Sequence, residues 1–136
     1  MDIKTINEKV SVSPQISPND LPALKEAGFT TIINNRPDGE APDQPAGALI
    51  EEEAKKLGLT YIAIPMGRDG VSPDMIEATR NAMAGDGKVF AYCRSGTRST
   101  TLWALSQAGE MPADDIIKSA ANAGYDVSHL AQYLGE

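Results

Sequence analysis

Apolar and polar positions along this chain alternate between two repeats, one close to two residues and one close to three and a half. Glu8-Lys9-Val10-Ser11-Val12 alternates polar and apolar, which predicts a first strand over residues 8–12, placed at a sheet edge. Ser13-Pro14 and Ser17-Pro18 are turn signals. A short helix capped by Asn19 or Asp20 should follow, with Leu21, Leu24 and Ala27 inward and Gly28 as its stop. Phe29-Thr30-Thr31-Ile32-Ile33 is rich in β-branched residues and reads as a buried strand. Residues 34–45 form a polar loop, Ala46 to Leu57 a helix ended by Gly58, and Leu59 to Ile64 another strand. Glu51 with Lys55 and Glu52 with Lys56 form i,i+4 pairs on that helix, a solvated face.

After a glycine-containing loop at 65–71, Ser72-Pro73-Asp74 carries a cap residue, a first-turn proline and an acid near the positive helix end. Gly85 and Gly87 close that helix before an apolar strand ending at Cys93. A helix from Ser99 to Ala108, one started by Met111-Pro112-Ala113-Asp114-Asp115 and running to about Asn122, and a short last one capped by Ser128 complete the chain. Strands that alternate with helices imply an α/β fold: a single domain over 1–136, a mostly parallel sheet of four or five strands, and helices on both faces. Ligand sites in such sheets form beyond the carboxyl ends of the strands. The loops 34–45, 65–71 and 93–98 leave at that edge, so Arg36, Asp38, Glu40, Arg68 and Asp69 fall within reach of Cys93.

Composition narrows the function classes. Of 136 residues, 41% are hydrophobic and 23% charged, enough for a core without a disulfide or metal staple. The net charge of -7 argues against nucleic acid or an anionic membrane as partner, so an anionic substrate must be held by local donors. A single cysteine excludes an internal disulfide, a CxxC redox pair and a cysteine zinc site, and no cofactor or metal is expected. With no segment of signal-peptide or membrane-spanning length, a reducing cytoplasm is the default expectation.

The chemistry concentrates in Tyr92-Cys93-Arg94-Ser95-Gly96-Thr97-Arg98-Ser99. A strand, a tight loop and a helix start together make an anion cradle. Main-chain N–H groups converge at the helix start, and the helix dipole adds positive potential. Such donors favour a thiolate. Arg98 adds a planar fork for an anion, Gly96 lets the loop fold tightly, and Arg94, Ser95 and Thr97 supply the rest of the wall. Arg94 points either into the mouth or to solvent. Leu102 and Trp103 read as core, and His129 is too far along the chain for a Cys-His dyad.

Cys93 to Arg98 with Ser99 following resembles the active loop of cysteine-dependent phosphatases and of rhodanese sulfurtransferases. Together with Ile33-Asn34-Asn35-Arg36-Pro37-Asp38-Gly39-Glu40 it resembles the bacterial beta-lactamase hydrolase-like protein, phosphatase-like family, along nearly the whole chain. That resemblance implies a tyrosine-phosphatase-like fold. It also implies a Ser99 hydroxyl that donates to the cysteine sulfur, where plain helix capping is the other reading. Asp69 in Met66-Gly67-Arg68-Asp69-Gly70 lies where the phosphatases carry a general acid, though Asp-Gly is also ordinary turn chemistry. Arg36 and Glu40 are expected to pair at the pocket rim, with Asn34 and Asn35 tying the loop down.

One departure from the phosphatase pattern matters. Four residues separate Cys93 from Arg98, the rhodanese spacing, where the phosphatases have five; Tyr92 stands where they usually have histidine. A shorter loop makes a smaller ring of donors. That suits a single terminal sulfur better than a phosphoryl group, whose charge spreads over three oxygens. The primary expectation is therefore sulfur transfer from thiosulfate or a persulfide. Phosphate-monoester hydrolysis with Asp69 as acid is the alternative, and a non-catalytic phospho-ligand module the third reading. The resemblance further implies a metallo-hydrolase-like enzyme of sulfur metabolism as partner.

Overall fold

Alternation along the strand Lys88–Tyr92 (β5) divides the molecule into two cores. Val89 and Ala91 face one side of the sheet, Phe90 and Tyr92 the other, and all four are buried. The computed structural model describes residues 2–134. Its strands are Lys4–Thr5 (β1), Val10–Ser13 (β2), Phe29–Asn34 (β3), Thr60–Ala63 (β4) and β5, in the order β1-β2-β5-β3-β4. β2, β5, β3 and β4 are parallel, and β1 pairs antiparallel with β2. The mostly parallel five-stranded sheet is as expected, but the first expected strand is not at the edge. β1 covers β2, whose four residues are all buried.

The helices are Leu21–Glu26 (α1), Gly47–Lys56 (α2), Pro73–Met83 (α3), Thr97–Ser106 (α4), Ala113–Asn122 (α5) and Ala131–Leu134 (α6). Leu21 and Leu24 of α1 and Ile50 and Ala54 of α2 pack with Phe29, Ile32, Phe90 and Tyr92 on one face. Phe29 meets Phe90 edge-on at 5.4 Å between ring centroids. Met83 of α3, Leu102 and Trp103 of α4 and Ile116 and Ala120 of α5 cover Val12, Ile33, Val89 and Ala91 on the other. Helices thus lie on both faces.

Most punctuation signals hold. Gly28 and Gly58 follow α1 and α2 with φ of 99° and 78°, the left-handed stop that glycine tolerates best. Ser72 Oγ accepts from Met75 N at 3.3 Å and caps α3. Lys55 reaches Glu51 at 3.4 Å on the α2 surface. Three local expectations fail. Ala27 is exposed, because α1 ends one residue earlier and the chain turns there. Ser128 is the first residue of a 3-10 turn, not its cap, and its hydroxyl donates to Asp126 Oδ1. α4 begins at Thr97 with Gly96 as N-cap, two residues before the expected start.

All four parallel strands end at one edge, so Ser13, Asn34, Ala63 and Tyr92 lead into neighbouring loops. β5 runs between β2 and β3, so the loop after it opens at the middle of that edge. Asn35 N donates to Tyr92 O at 2.8 Å, and Met66 N to Asn35 O at 3.0 Å, which stitches the three loops together.

Candidate functional site

Cys93 is the first residue after β5, and none of its surface is exposed. The backbone turns at Gly96, with φ 94° and ψ −11°, and enters α4. This positive φ costs glycine little and points the Gly96 N–H back at the sulfur, which accepts at 3.1 Å. The sulfur thus lies at a helix start as the sequence implied. Tyr92, in the position before it, turns its ring to the opposite face of the sheet, where burial pushes its phenol far above the usual range.

Arg98, in the first turn of α4, is aimed by contacts from two other loops. Its Nη1 donates to Glu40 Oε2 at 2.8 Å and to Met66 O at 2.8 Å, and its Nη2 donates to Glu40 Oε1 at 2.8 Å. This is a two-pronged guanidinium–carboxylate pair, which fixes orientation as well as charge. The pair raises the pKa of Arg98, and nearby Cys93 raises it further. Glu40 is held down to about 2, first by the Arg98 hydrogen bonds and then, against the upward push of burial, by Arg36.

Arg36 pairs with Glu40 as expected, with Nε to Oε1 at 2.9 Å, but not at the rim. It is 5% exposed, and its Nη1 donates to Gln15 Oε1 at 3.0 Å. Arg36 is a buried strut behind Glu40. The asparagines tie the loop as foreseen: Arg36 N donates to Asn34 Oδ1 at 2.9 Å, and Asn35 Nδ2 to Ile64 O at 2.9 Å. Asp38 Oδ1 accepts from Gly47 N at 2.9 Å, so it holds the start of α2 instead of reaching Cys93.

An open cavity of about 500 Å³ lies beside the loop, lined by Arg68, Arg94 and Arg98, by Glu40, and by Pro37, Gly39 and Gly67. Arg94 therefore faces the mouth. Three cations and one carboxylate give this cavity positive potential within a chain of net charge -7. Asp69 is exposed and is not part of that lining. Ser95 Oγ donates to Thr97 Oγ1 at 3.0 Å and accepts from Thr97 N at 3.4 Å, closing the outside of the loop. Ser99 lies past the cap, so capping is not its role. Its hydroxyl is buried and has no partner among the described residues, so the expected bond to the Cys93 sulfur is not formed either. Gln15 and Tyr125 join the site without any signal in the sequence: Gln15 Oε1 accepts from Arg36, and Tyr125 Oη donates to Ser95 O at 2.9 Å. No group of three or more His, Cys, Asp or Glu able to hold a metal occurs among the described residues.

A cysteine at the end of a central parallel strand, a tight anion loop and an arginine at the helix start define the tyrosine-phosphatase-like class of cysteine-based folds. Solved structures agree. PTPMT1 superposes with a TM-score of 0.69 at 16% identity, over 97% of this chain and 91% of that one. The Neisseria meningitidis protein nma1982, solved as a candidate phosphatase, matches more closely, with a TM-score of 0.82 at 34% identity over 98% of this chain and 96% of that one. The profile of the beta-lactamase hydrolase-like protein, phosphatase-like domain family matches residues 2–110, and the chain belongs to that family. The Agrobacterium fabrum beta-lactamase hydrolase-like protein is 36% identical over 132 residues, 95% of this chain. Its Xylella fastidiosa counterpart is 33% identical over 137 residues, 98% of this chain. The chain spans about a third of the length of these relatives, 31% and 32%.

Proposed function

We propose that the protein transfers sulfane sulfur through Cys93. The observation that carries this reading is the state of Glu40 and Arg98. Glu40, the carboxylate that lines the cavity among the described residues, is held by hydrogen bonds from Arg98 and Arg36, which keep its pKa well below the usual range and leave it a poor proton donor to a leaving alkoxide. The Nη1 and Nη2 fork of Arg98 is already engaged by that carboxylate. The groups seen on the sulfur among the described residues are the Gly96 N–H and the charge of Arg98, which suit a small anion whose leaving group needs no proton.

In the reaction, the Cys93 thiolate attacks the outer sulfur of thiosulfate. The sulfur–sulfur bond of the donor breaks, and sulfite leaves with the electron pair. The Gly96 N–H and Arg98 hold the resulting Cys93 persulfide anion, and the Ser99 hydroxyl is free to add a third donor. An acceptor thiolate then attacks the terminal sulfur and carries it off as a persulfide, which restores the Cys93 thiolate. Arg68 and Arg94 attract the anionic donor to the mouth. The acceptor we propose is a soluble thiol in a reducing compartment, with a metallo-hydrolase-like enzyme of sulfur metabolism consuming the product.

The fold and the nma1982 likeness favour a second reading, phosphate-monoester hydrolysis through a cysteinyl-phosphate, with loop 65–71 bringing Asp69 to the leaving oxygen. The two separate in one experiment. With thiosulfate and cyanide the protein should form thiocyanate in a Cys93-dependent reaction, with turnover of 4-nitrophenyl phosphate at least about a hundredfold slower, the scale of a missing general acid. The reverse ranking would establish the phosphatase reading.

A further inference from the structure

Tyr125 lies just past α5, far along the chain from the cysteine loop, yet its phenol reaches that loop. Its Oη donates to Ser95 O at 2.9 Å. In the next half of the same peptide unit, Gly96 N donates to Cys93 Sγ at 3.1 Å. A trans peptide directs its C=O and N–H to opposite sides, so a donor that holds the carbonyl outward holds the N–H inward. The peptide bonds are all trans among the described residues. Donation to the carbonyl also polarises the amide and strengthens its N–H as a donor.

A second feature ties Tyr125 to this peptide. Any Cβ added at Gly96 would lie 2.1 Å from Tyr125 Oη and 2.9 Å from its Cζ. The ring therefore packs directly on the glycine whose φ of 94° turns the N–H toward the sulfur.

We propose that Tyr125 is a positioning residue for the nucleophile: through the Ser95–Gly96 peptide it aims the one main-chain donor seen on Cys93 and so sets how readily the thiol reacts as its anion. The inference needs Cys93 as the nucleophile but holds for sulfur transfer and phosphate hydrolysis alike. Burial foremost, and the neighbouring sulfur after it, push the Tyr125 phenol above the usual tyrosine range, so the hydroxyl keeps its proton and stays a donor. Charged groups around Cys93 are Arg98 of α4, with Glu40 behind it, and Arg94 of the loop itself; Asp2 lies on the Tyr125 side.

The test is the pH profile of Cys93 alkylation by iodoacetamide in the full chain, which reads the thiol without reference to any substrate. Tyr125→Phe keeps the ring and removes only the donor. The rate near neutral pH should fall about three- to tenfold, the worth of one hydrogen bond, with the profile displaced to higher pH and Tm unchanged. A profile superimposable on the wild type would overturn the proposal. So would a rate that falls only in step with Tm, since that assigns the hydroxyl to stability. As a check on the unaltered protein, the Gly96 amide proton resonance should move with the Cys93 titration; an amide that ignores it would also overturn the proposal.

Discussion

Two loops at the same sheet edge are built very differently. Between Cys93 and Arg98 nearly every residue is tied: Gly96 to the sulfur, Ser95 to Tyr125 and Thr97, Arg98 to Glu40 and Met66. Between Pro65 and Val71 the side chains of Arg68 and Asp69 are exposed, and among the described residues the loop tip closes on itself through Gly70 N to Gly67 O at 3.1 Å. The tip of the loop that would supply an acid is loosely held, although Met66 at its start is tied to Asn35 and Arg98, while the loop that holds the sulfur is fixed. Preorganised donors lower a barrier most when nothing must move to place them. The contrast favours chemistry that draws on the cysteine loop alone.

The comparison can be broken most forcefully at the nucleophile. Cys93→Ser should abolish sulfur transfer, a loss of at least about a thousandfold in kcat, because serine cannot form the persulfide; residual turnover would move the chemistry elsewhere. Arg98→Ala should lower kcat/KM about a hundred- to a thousandfold, the range for removing a preorganised charge donor, measured as thiocyanate formation. Glu40→Gln keeps the shape but frees the guanidinium, and should cost about tenfold in kcat/KM with the cysteine intact.

The Glu40 variant also has a pH signature. Its folded pKa is depressed, so the stability it adds is fully present above its ordinary value near 4.5 and is lost as pH falls through about 2. The Tm gap between wild type and Glu40→Gln should stay constant above pH 4.5 and close on acidification below it. A gap that closed at neutral pH would mean the Arg98 pair is not what holds Glu40. The smallest effect belongs to the loose loop: Asp69→Asn should change sulfur transfer by less than about twofold, whereas an acid catalyst would cost a hundredfold or more in aryl-phosphate turnover.

The elements that repeat locally were legible in the sequence. Strand and helix periods gave the α/β order, glycines and Ser72 marked helix ends, and the three loops at one edge gave the neighbourhood of Cys93. The Arg36–Glu40 pair was readable because its partners stand at i and i+4 in one loop. Arg98 with Glu40, which are 58 residues apart, and Tyr125 over Ser95, which is 30 away, were not, since only the folded sheet edge brings them together. β1 escaped notice because two residues carry no period. Burial of Arg36 was hidden for another reason: a charged side chain goes inside only when partners such as Gln15 and Glu40 satisfy it, and no local pattern records that.

Intact-mass spectrometry of the protein after brief exposure to thiosulfate tests the sulfur-transfer reading most directly. It should show one added sulfur atom per chain, located at Cys93 by peptide mapping and removed by a thiol or cyanide. An unmodified mass under conditions where 4-nitrophenyl phosphate is turned over would contradict it.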